Sequence, residues 1–164
     1  MTTTVPAVQL SEIFSITVDY DKSCYQMVAV GQYDGRENLS VYSYSIKGKG
    51  IVSYEACYVY FDHVISRENA IREIEQAGWL PAKVEHLLSF GATYPEEQRR
   101  FTIVALGTVG DGGVATLYAY AESFLFFTAH PSQRRRRAIG YLNVSSDLIP
   151  YPDHRFLVVR PVVG

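Results

Sequence analysis

Four consecutive arginines are the residues of this sequence whose type and spacing most directly suggest chemistry: Arg134, Arg135, Arg136 and Arg137. Adjacent guanidinium groups repel one another unless water or anions surround them. Such a run can bind nucleic-acid phosphates or the carboxylates of an acidic partner. It can equally be a solvated loop, or a charged guard that keeps an edge strand from pairing. Both interpretations stay open, and Arg99 and Arg100 would enlarge the patch if they lay nearby.

Tyrosine is the second conspicuous residue type, with 13 copies in 164 residues. Its ring and hydroxyl make it a frequent anchor in protein interfaces. The same features let it pack a core with the hydroxyl at the rim, so a structural role is the alternative. The candidates for a tyrosine-bearing sheet face lie on two predicted strands: Tyr42, Tyr44, Tyr54, Tyr58 and Tyr60.

The histidines could take part in catalysis only if distant ones met in the fold. None of the four has metal-ligand spacing: His63, His86, His130 and His154. Two of them follow an aspartate directly, in Asp62-His63 and Asp153-His154. Because neighbours on a strand point to opposite faces, we expect neither pair to form a working Asp–His dyad.

The cysteines and the glycine-rich tract carry no recognisable site. Cys24 and Cys57 lack CxxC spacing, and we expect two reduced, buried thiols. Either thiol would need a remote histidine to act as a nucleophile. The tract 107–113 matches neither phosphate-binding motif and reads as a hairpin turn. The sequence therefore predicts no cofactor and no metal.

The elements that must position these residues follow the order strands, helices, strands. Ser23 and Ser66 are predicted helix N-caps, and Pro81 is the predicted first residue of a third helix. Alternation and β-branched residues predict strands at 13–19, 39–46, 52–62, 101–106, 114–120, 124–129 and 155–160. The nearly continuous apolar run 101–106 is typical of a strand covered on both faces. This order predicts an α+β fold, a mainly antiparallel sheet with two to three helices packed on one face.

Length and composition predict a single domain, with residues 1–12 as a loose lead-in and 13–164 as the α+β domain. The net charge of −2 is too low for generic nucleic-acid affinity, so any such binding has to be local. The sequence shows neither a signal peptide nor an apolar stretch of membrane-spanning length. We therefore expect a cytoplasmic protein that does not contact the membrane.

A further set of residues resembles a group of short bacterial and phage proteins with no known activity. The similarity covers roughly residues 13–160 and is most specific between Phe90 and Gly107. The matching residues in that block are Phe90-Gly91, Tyr94-Pro95, Gln98-Arg99 and the run 103–107. Outside it, the similarity extends to Val18-Asp19-Tyr20, Tyr33-Asp34, Tyr141-Leu142 and 155–160. The resemblance implies one compact domain of prokaryotic or phage origin. It carries over no site residues, and the run 134–137 is peculiar to this chain.

These observations favour a non-enzymatic protein-binding module that uses the tyrosine-bearing sheet face, with a protein partner or a second copy as the ligand. One alternative is nucleic-acid binding through the arginine run. Another is an enzyme whose site is assembled from distant His, Asp and Tyr residues. No catalytic motif in the sequence decides among them.

Overall fold

The computed structural model describes residues 9–36, 44–110, 113–120, 135–143 and 147–162. The helices in these ranges are α1 (Cys24–Gly31), α2 (Arg67–Gln76), α3 (Val84–Thr93) and α4 (Glu97–Arg100). The strands are β1 (Gln9–Leu10), β2 (Phe14–Asp19), β3 (Gly35–Arg36), β4 (Ile51–Tyr60), β5 (Leu80–Pro81), β6 (Thr102–Gly110), β7 (Gly113–Tyr120), β8 (Arg136–Leu142) and β9 (His154–Pro161). Among the described residues, no helix has the length and apolar character needed to cross a membrane.

The predicted helix caps are confirmed. Ser23 Oγ accepts the Gln26 N–H at 3.2 Å, and the Gln26 side chain accepts the Ser23 N–H at 2.8 Å, which is a capping box for α1. Ser66 Oγ accepts the Asn69 N–H at 3.1 Å and caps α2. The sequence predicted Pro81 as the first residue of α3, but this prediction is wrong. Pro81 instead lies in the short strand β5 and pairs with β9.

The sheet is mixed, which corrects the expectation of a mainly antiparallel one. Its strands follow the order β1-β4-β9-β6-β7-β8-β3, with β2 on β4 and β5 on β9. The pairs β6–β9 and β3–β8 are parallel, whereas the other pairs are antiparallel. The parallel β6–β9 pair arises because the chain returns after β8 and inserts β9 between β4 and β6. The two predicted strands at 39–46 and 124–129 fall wholly or largely outside the described residues.

The central strands are covered on both faces. In β6, Ile103 and Ala105 belong to the core that α1 and α3 cover, while Val104 and Leu106 belong to the core that α2 covers. The interpretation of the apolar run 101–106 is therefore confirmed. The expectation that all helices pack on one face is wrong, because Ile74 of α2 lies in the opposite core.

Arg137 of β8 is a buried cation, with 6% of its surface exposed. Its guanidinium donates to Gly31 O at 2.7 Å, to Gly91 O at 2.7 Å and to Gln98 Oε1 at 3.1 Å. Gly31 and Gly91 lie at or near the C-terminal ends of α1 and α3, where unpaired carbonyls carry partial negative charge. A single side chain thus joins two helix ends, α4 and the sheet.

Two glycines make this arrangement possible. The guanidinium lies 4.8 Å from the centre of the Tyr33 ring, which fills the space below it. A Cβ atom at Gly31 or at Gly91 would collide with the Tyr33 side chain. Burial raises the pKa of Tyr33 to about 12, so its hydroxyl stays neutral against the cation.

Replacing the buried cation should cost far more than replacing its exposed neighbour. Arg137→Met leaves two carbonyls and the Gln98 amide oxygen without their donor, and we expect a loss of about 3 kcal/mol or more in the free energy of unfolding. The matched control Arg136→Met removes an exposed pair with Asp34 and should change stability by less than about 1 kcal/mol. Urea denaturation measures both, and equal losses would contradict the assigned role of Arg137.

Candidate functional site

The arginine run does not form a patch of four exposed cations. Arg134 lies outside the described residues, and Arg137 is buried, so only Arg135 and Arg136 of the described part are exposed. The Arg135 guanidinium donates to Ala119 O at 2.7 Å, and Arg136 lies 3.5 Å from Asp34. These two arginines are therefore already engaged with the protein. The interpretation of the run as a loop or an edge guard is also wrong for Arg136 and Arg137. Both residues belong to β8, which lies between β7 and β3.

The second arginine pair does lie beside the run. Arg99 Nε donates to Arg135 O at 2.9 Å, so the sequence's condition for a larger patch, that Arg99 lies near the run, is met. However, Arg99 forms an ion pair with Glu96 at 2.9 Å, and Arg100 forms one with Glu97 at 3.2 Å. These acidic neighbours lower the positive potential that a phosphate backbone would meet.

The tyrosines do not present one open face. Tyr42 lies outside the described residues, and Tyr44 and Tyr58 are 5% and 4% exposed, which corrects their assignment as partner-contacting side chains. The Tyr58 hydroxyl donates to Glu97 Oε2 at 2.7 Å, and burial followed by this hydrogen bond raises its pKa. Tyr60 is half-buried, with the Arg155 guanidinium 4.8 Å from its ring centre.

Asp62 and His63 contact each other, because the premise that they lie on a strand does not hold. His63 Nδ1 lies 2.9 Å from Asp62 Oδ1, because these residues occupy a bend after β4 rather than a strand. Both side chains are exposed, so the pair is not held in a dry pocket. His154 instead packs against Tyr151, and His130 lies outside the described residues. No group of three or more His, Cys, Asp and Glu in the described ranges could hold a metal ion.

Both cysteines are free and buried, as expected. They lie in different cores. Cys24, the first residue of α1, lies in the core that α1 and α3 cover, and Cys57 of β4 lies in the core that α2 covers. Burial raises the pKa of each thiol to about 11. A thiol with such a pKa stays protonated near neutral pH and is a poor nucleophile.

The open edge of the sheet is the most distinctive surface in the described part of the chain. There β2 pairs with β4 on one side and with no other described strand on the other side. The hydroxyl of Tyr94 donates to Ser15 O at 2.8 Å and accepts from Ser15 N at 3.2 Å, so Ser15 points its backbone groups away from β4. Since these groups alternate along an antiparallel ladder, the backbone groups of Thr17 and Asp19 point the same way.

The outward backbone groups leave a short unpaired row. Asp19 O accepts the Lys22 N–H at 3.2 Å. The Thr17 N–H, the Thr17 C=O and the Asp19 N–H have no partner among the described residues. An edge of this kind is a template for pairing with another extended chain.

A groove of about 150 Å³ lies along this row, between β2, α1 and α3. Its apolar lining consists of the buried Met27 and Leu88, with Ala92 and the exposed Val30 beside them. Its polar lining comes from β2, from the residue before the N-cap of α1 and from the C-terminal half of α3: Thr17, Asp19, Lys22, Ser89 and Thr93. The hydroxyls of Ser89 and Thr93 donate to carbonyls of their own helix at 2.8 Å, so they are not free donors.

Two buried ionisable residues lie in the first turn of α3, the helix that lines the groove. His86 Nδ1 accepts the Lys83 N–H at 2.9 Å, which places the ring proton on Nε2, and Nε2 has no partner. Burial, followed by the nearby Lys83 charge, lowers the pKa of His86 to about 4. Burial raises the pKa of the neighbouring Glu85, whose Oε1 is likewise unpartnered.

Sequence reasoning missed the groove residues, although one signal was present. Ser15 and Thr17 alternate with the buried Ile16 and Val18, which is the pattern of a strand with one exposed face. That pattern indicates which side chains face water. It cannot indicate that one edge of the strand lacks a partner, because the neighbours of a strand come from distant parts of the chain.

The buried histidine predicts a specific pH dependence of stability. Because the pKa of His86 is lower in the folded than in the unfolded state, the unfolded state binds more protons below pH 6.5. Stability should therefore fall from pH 6.5 to about pH 4, by about 3 kcal/mol from this group. The raised pKa of Glu85 acts in the opposite sense, since its stabilising effect is lost as pH rises above 4.5.

The variant His86→Gln isolates the histidine contribution. Glutamine keeps an acceptor for the Lys83 N–H but does not titrate. As pH falls from 6.5 to 4, the unfolding free energy of wild type should fall relative to that of the variant by about 3 kcal/mol, measured by urea denaturation at each pH. Parallel curves for the two proteins would show that His86 is not the group responsible.

Because the ring of Tyr58 is buried, replacing it should destabilise the fold rather than remove only a binding contact. Tyr58→Ser removes a ring that packs on Phe14, Phe90 and Phe101, and we expect a loss of about 3 kcal/mol or more. Tyr60→Ser, at a half-buried position of the same strand, should cost less. Thermal unfolding compares them, and an unchanged melting temperature for Tyr58→Ser would restore it as a surface candidate.

Comparison with known proteins gave no match, whether to a family model, to a curated protein or to a solved structure. The resemblance to short bacterial and phage proteins therefore stays a prediction. The groove beside β2 has to be interpreted from its own geometry.

Proposed function

We propose that this protein is a non-enzymatic protein-binding module whose β2 edge pairs with an extended segment of a partner protein. The observation that carries the proposal is the row of backbone groups on Thr17 and Asp19 that have no partner among the described residues, beside an apolar groove. Strand addition of this kind obtains affinity from backbone hydrogen bonds and specificity from side-chain pockets. The proposal keeps the protein-binding role expected from the sequence but moves it from the tyrosines to the sheet edge.

The backbone chemistry supports an extended ligand. Thr17 offers a donor and an acceptor, and Asp19, two residues further along, offers a second donor. This two-residue spacing is the repeat with which a neighbouring strand presents its own carbonyls and amides. Each bond contributes about 1 kcal/mol net, so three of them give a weak complex unless side chains contribute as well.

The groove provides the side-chain contribution. Alternate residues of an added strand point to opposite faces, so every second side chain would face α1 and α3. Met27, Leu88 and Ala92 form an apolar surface there, and the groove has room for about one aliphatic side chain. We therefore expect a partner segment with a valine, isoleucine or leucine at the position opposite Val18, whose side chain faces the same core as α1 and α3.

The charge at the mouth of the groove favours an acidic residue in the partner. Lys22 lines the groove and forms no ion pair with any described residue. Asp19 Oδ1 accepts the Asp21 N–H at 3.1 Å, so part of its charge is engaged locally. A glutamate or aspartate next to the aliphatic residue would pair with Lys22 at the exposed rim, with about 0.2–1 kcal/mol of stabilisation.

Thr17→Pro should abolish binding without unfolding the domain. Proline at this position loses only the outward N–H, since the hydrogen bonds of β2 to β4 come from the alternate residues, and edge strands tolerate proline there. The matched control Thr17→Val changes the exposed side chain and leaves the backbone intact. Heptapeptides selected on wild type from a random phage-displayed library should bind the valine variant and bind the proline variant at least about tenfold more weakly.

Two results would overturn the proposal. One is a selection on wild type that enriches no extended sequence. The other is a selected peptide that binds the proline variant as tightly as wild type, because it would then occupy a different surface. Circular dichroism and thermal unfolding of each variant check that the fold is intact.

A further inference from the structure

We infer that the hydroxyl of Tyr94 closes one end of the β2 edge and so sets the length and register of the segment that pairs there. This inference rests on the proposed function. Tyr94 thereby acts as a specificity-determining residue for a ligand class, namely a short extended segment that ends or turns away opposite Ser15.

The contacts of Tyr94 imitate those of a strand residue. Its hydroxyl donates to Ser15 O at 2.8 Å and accepts from Ser15 N at 3.2 Å. A residue of a neighbouring antiparallel strand would form the same two bonds in a hydrogen-bonded pair with Ser15. Where Tyr94 stands, an added chain therefore finds both backbone groups occupied.

Packing holds the ring of Tyr94 in this position. Its centre lies 5.0 Å from that of Phe14 and 5.2 Å from that of Phe90. Its backbone N–H donates to Phe90 O at 2.8 Å and ends α3. A ring fixed at its backbone and on its faces is displaced only at the cost of these contacts, so an incoming strand gains little by replacing it.

The open row consequently begins at Thr17. A ligand pairs with Thr17 and Asp19, which corresponds to about four residues of an extended chain. Beyond Thr17 the ligand has to end or bend away from the sheet. A long continuous strand, such as the edge of another sheet, meets the phenol and cannot extend the ladder, which also protects this edge from uncontrolled pairing.

Tyr94→Ala tests the inference because it removes both the ring and the hydroxyl that occupy the backbone groups of Ser15. The probes are acetylated, amidated peptides of sequence Glu-(Thr-Val)n with n of about two to four, and the readout is their affinity by fluorescence polarisation as a function of length. Wild type should gain no affinity beyond the shortest peptide. Tyr94→Ala should bind the shortest peptide equally, which also shows that the fold is intact, and the longest about tenfold more tightly, because two further backbone groups on Ser15 become available.

The outcomes separate this inference from the proposed function. If wild type binds the peptides in a way that Thr17→Pro abolishes, and Tyr94→Ala shows the same length dependence as wild type, the role of Tyr94 is overturned and the binding edge stands. If wild type binds none of the peptides, or Thr17→Pro binds them equally well, the proposed function fails and this inference fails with it. A gain that grows with length in Tyr94→Ala and not in wild type supports both.

Discussion

The buried guanidinium of Arg137 is the constraint on which the arrangement of the other elements depends. A cation inside a core is stable only when hydrogen bonds and opposite charge surround it. Here the carbonyls of Gly31 and Gly91 and the amide of Gln98 provide these bonds. Because the carbonyls belong to the ends of α1 and α3, satisfying one side chain fixes both helices against β8.

This constraint reaches the sheet edge through the helices. The groove beside β2 is formed by α1 and α3, whose C-terminal ends meet at Arg137. The contacts of Arg137 with Gly31 and Gly91 hold these two helix ends together, although none of the three residues lines the groove. The Tyr33 ring packs below the guanidinium, and Gly31 and Gly91 leave the space that the ring needs.

The polar chemistry of the molecule divides between the interior and the edge. Inside, polar groups mostly serve the fold: Tyr58 donates to Glu97, and Gln98 donates to Tyr118 O and Ala138 O. His86, Glu85 and Tyr33 are exceptions, since each keeps an unpartnered atom and a pKa shifted by burial. At the edge, the unpaired groups belong to the backbone of β2, where any extended chain of suitable register can satisfy them.

The sequence by itself determined the local features: the caps at Ser23 and Ser66, the alternation along β2, and the run in β6 that is buried on both faces. These follow from residues a few positions apart, whose spacing is fixed by helix and strand geometry. Only the tertiary structure decided that Arg137 is buried, that α2 covers the opposite face, and that no other described strand pairs with the outer side of β2. Each of these depends on segments far apart in the chain, such as Gly31, Gly91 and Arg137, and the same arginine would be solvated if those helix ends did not meet it.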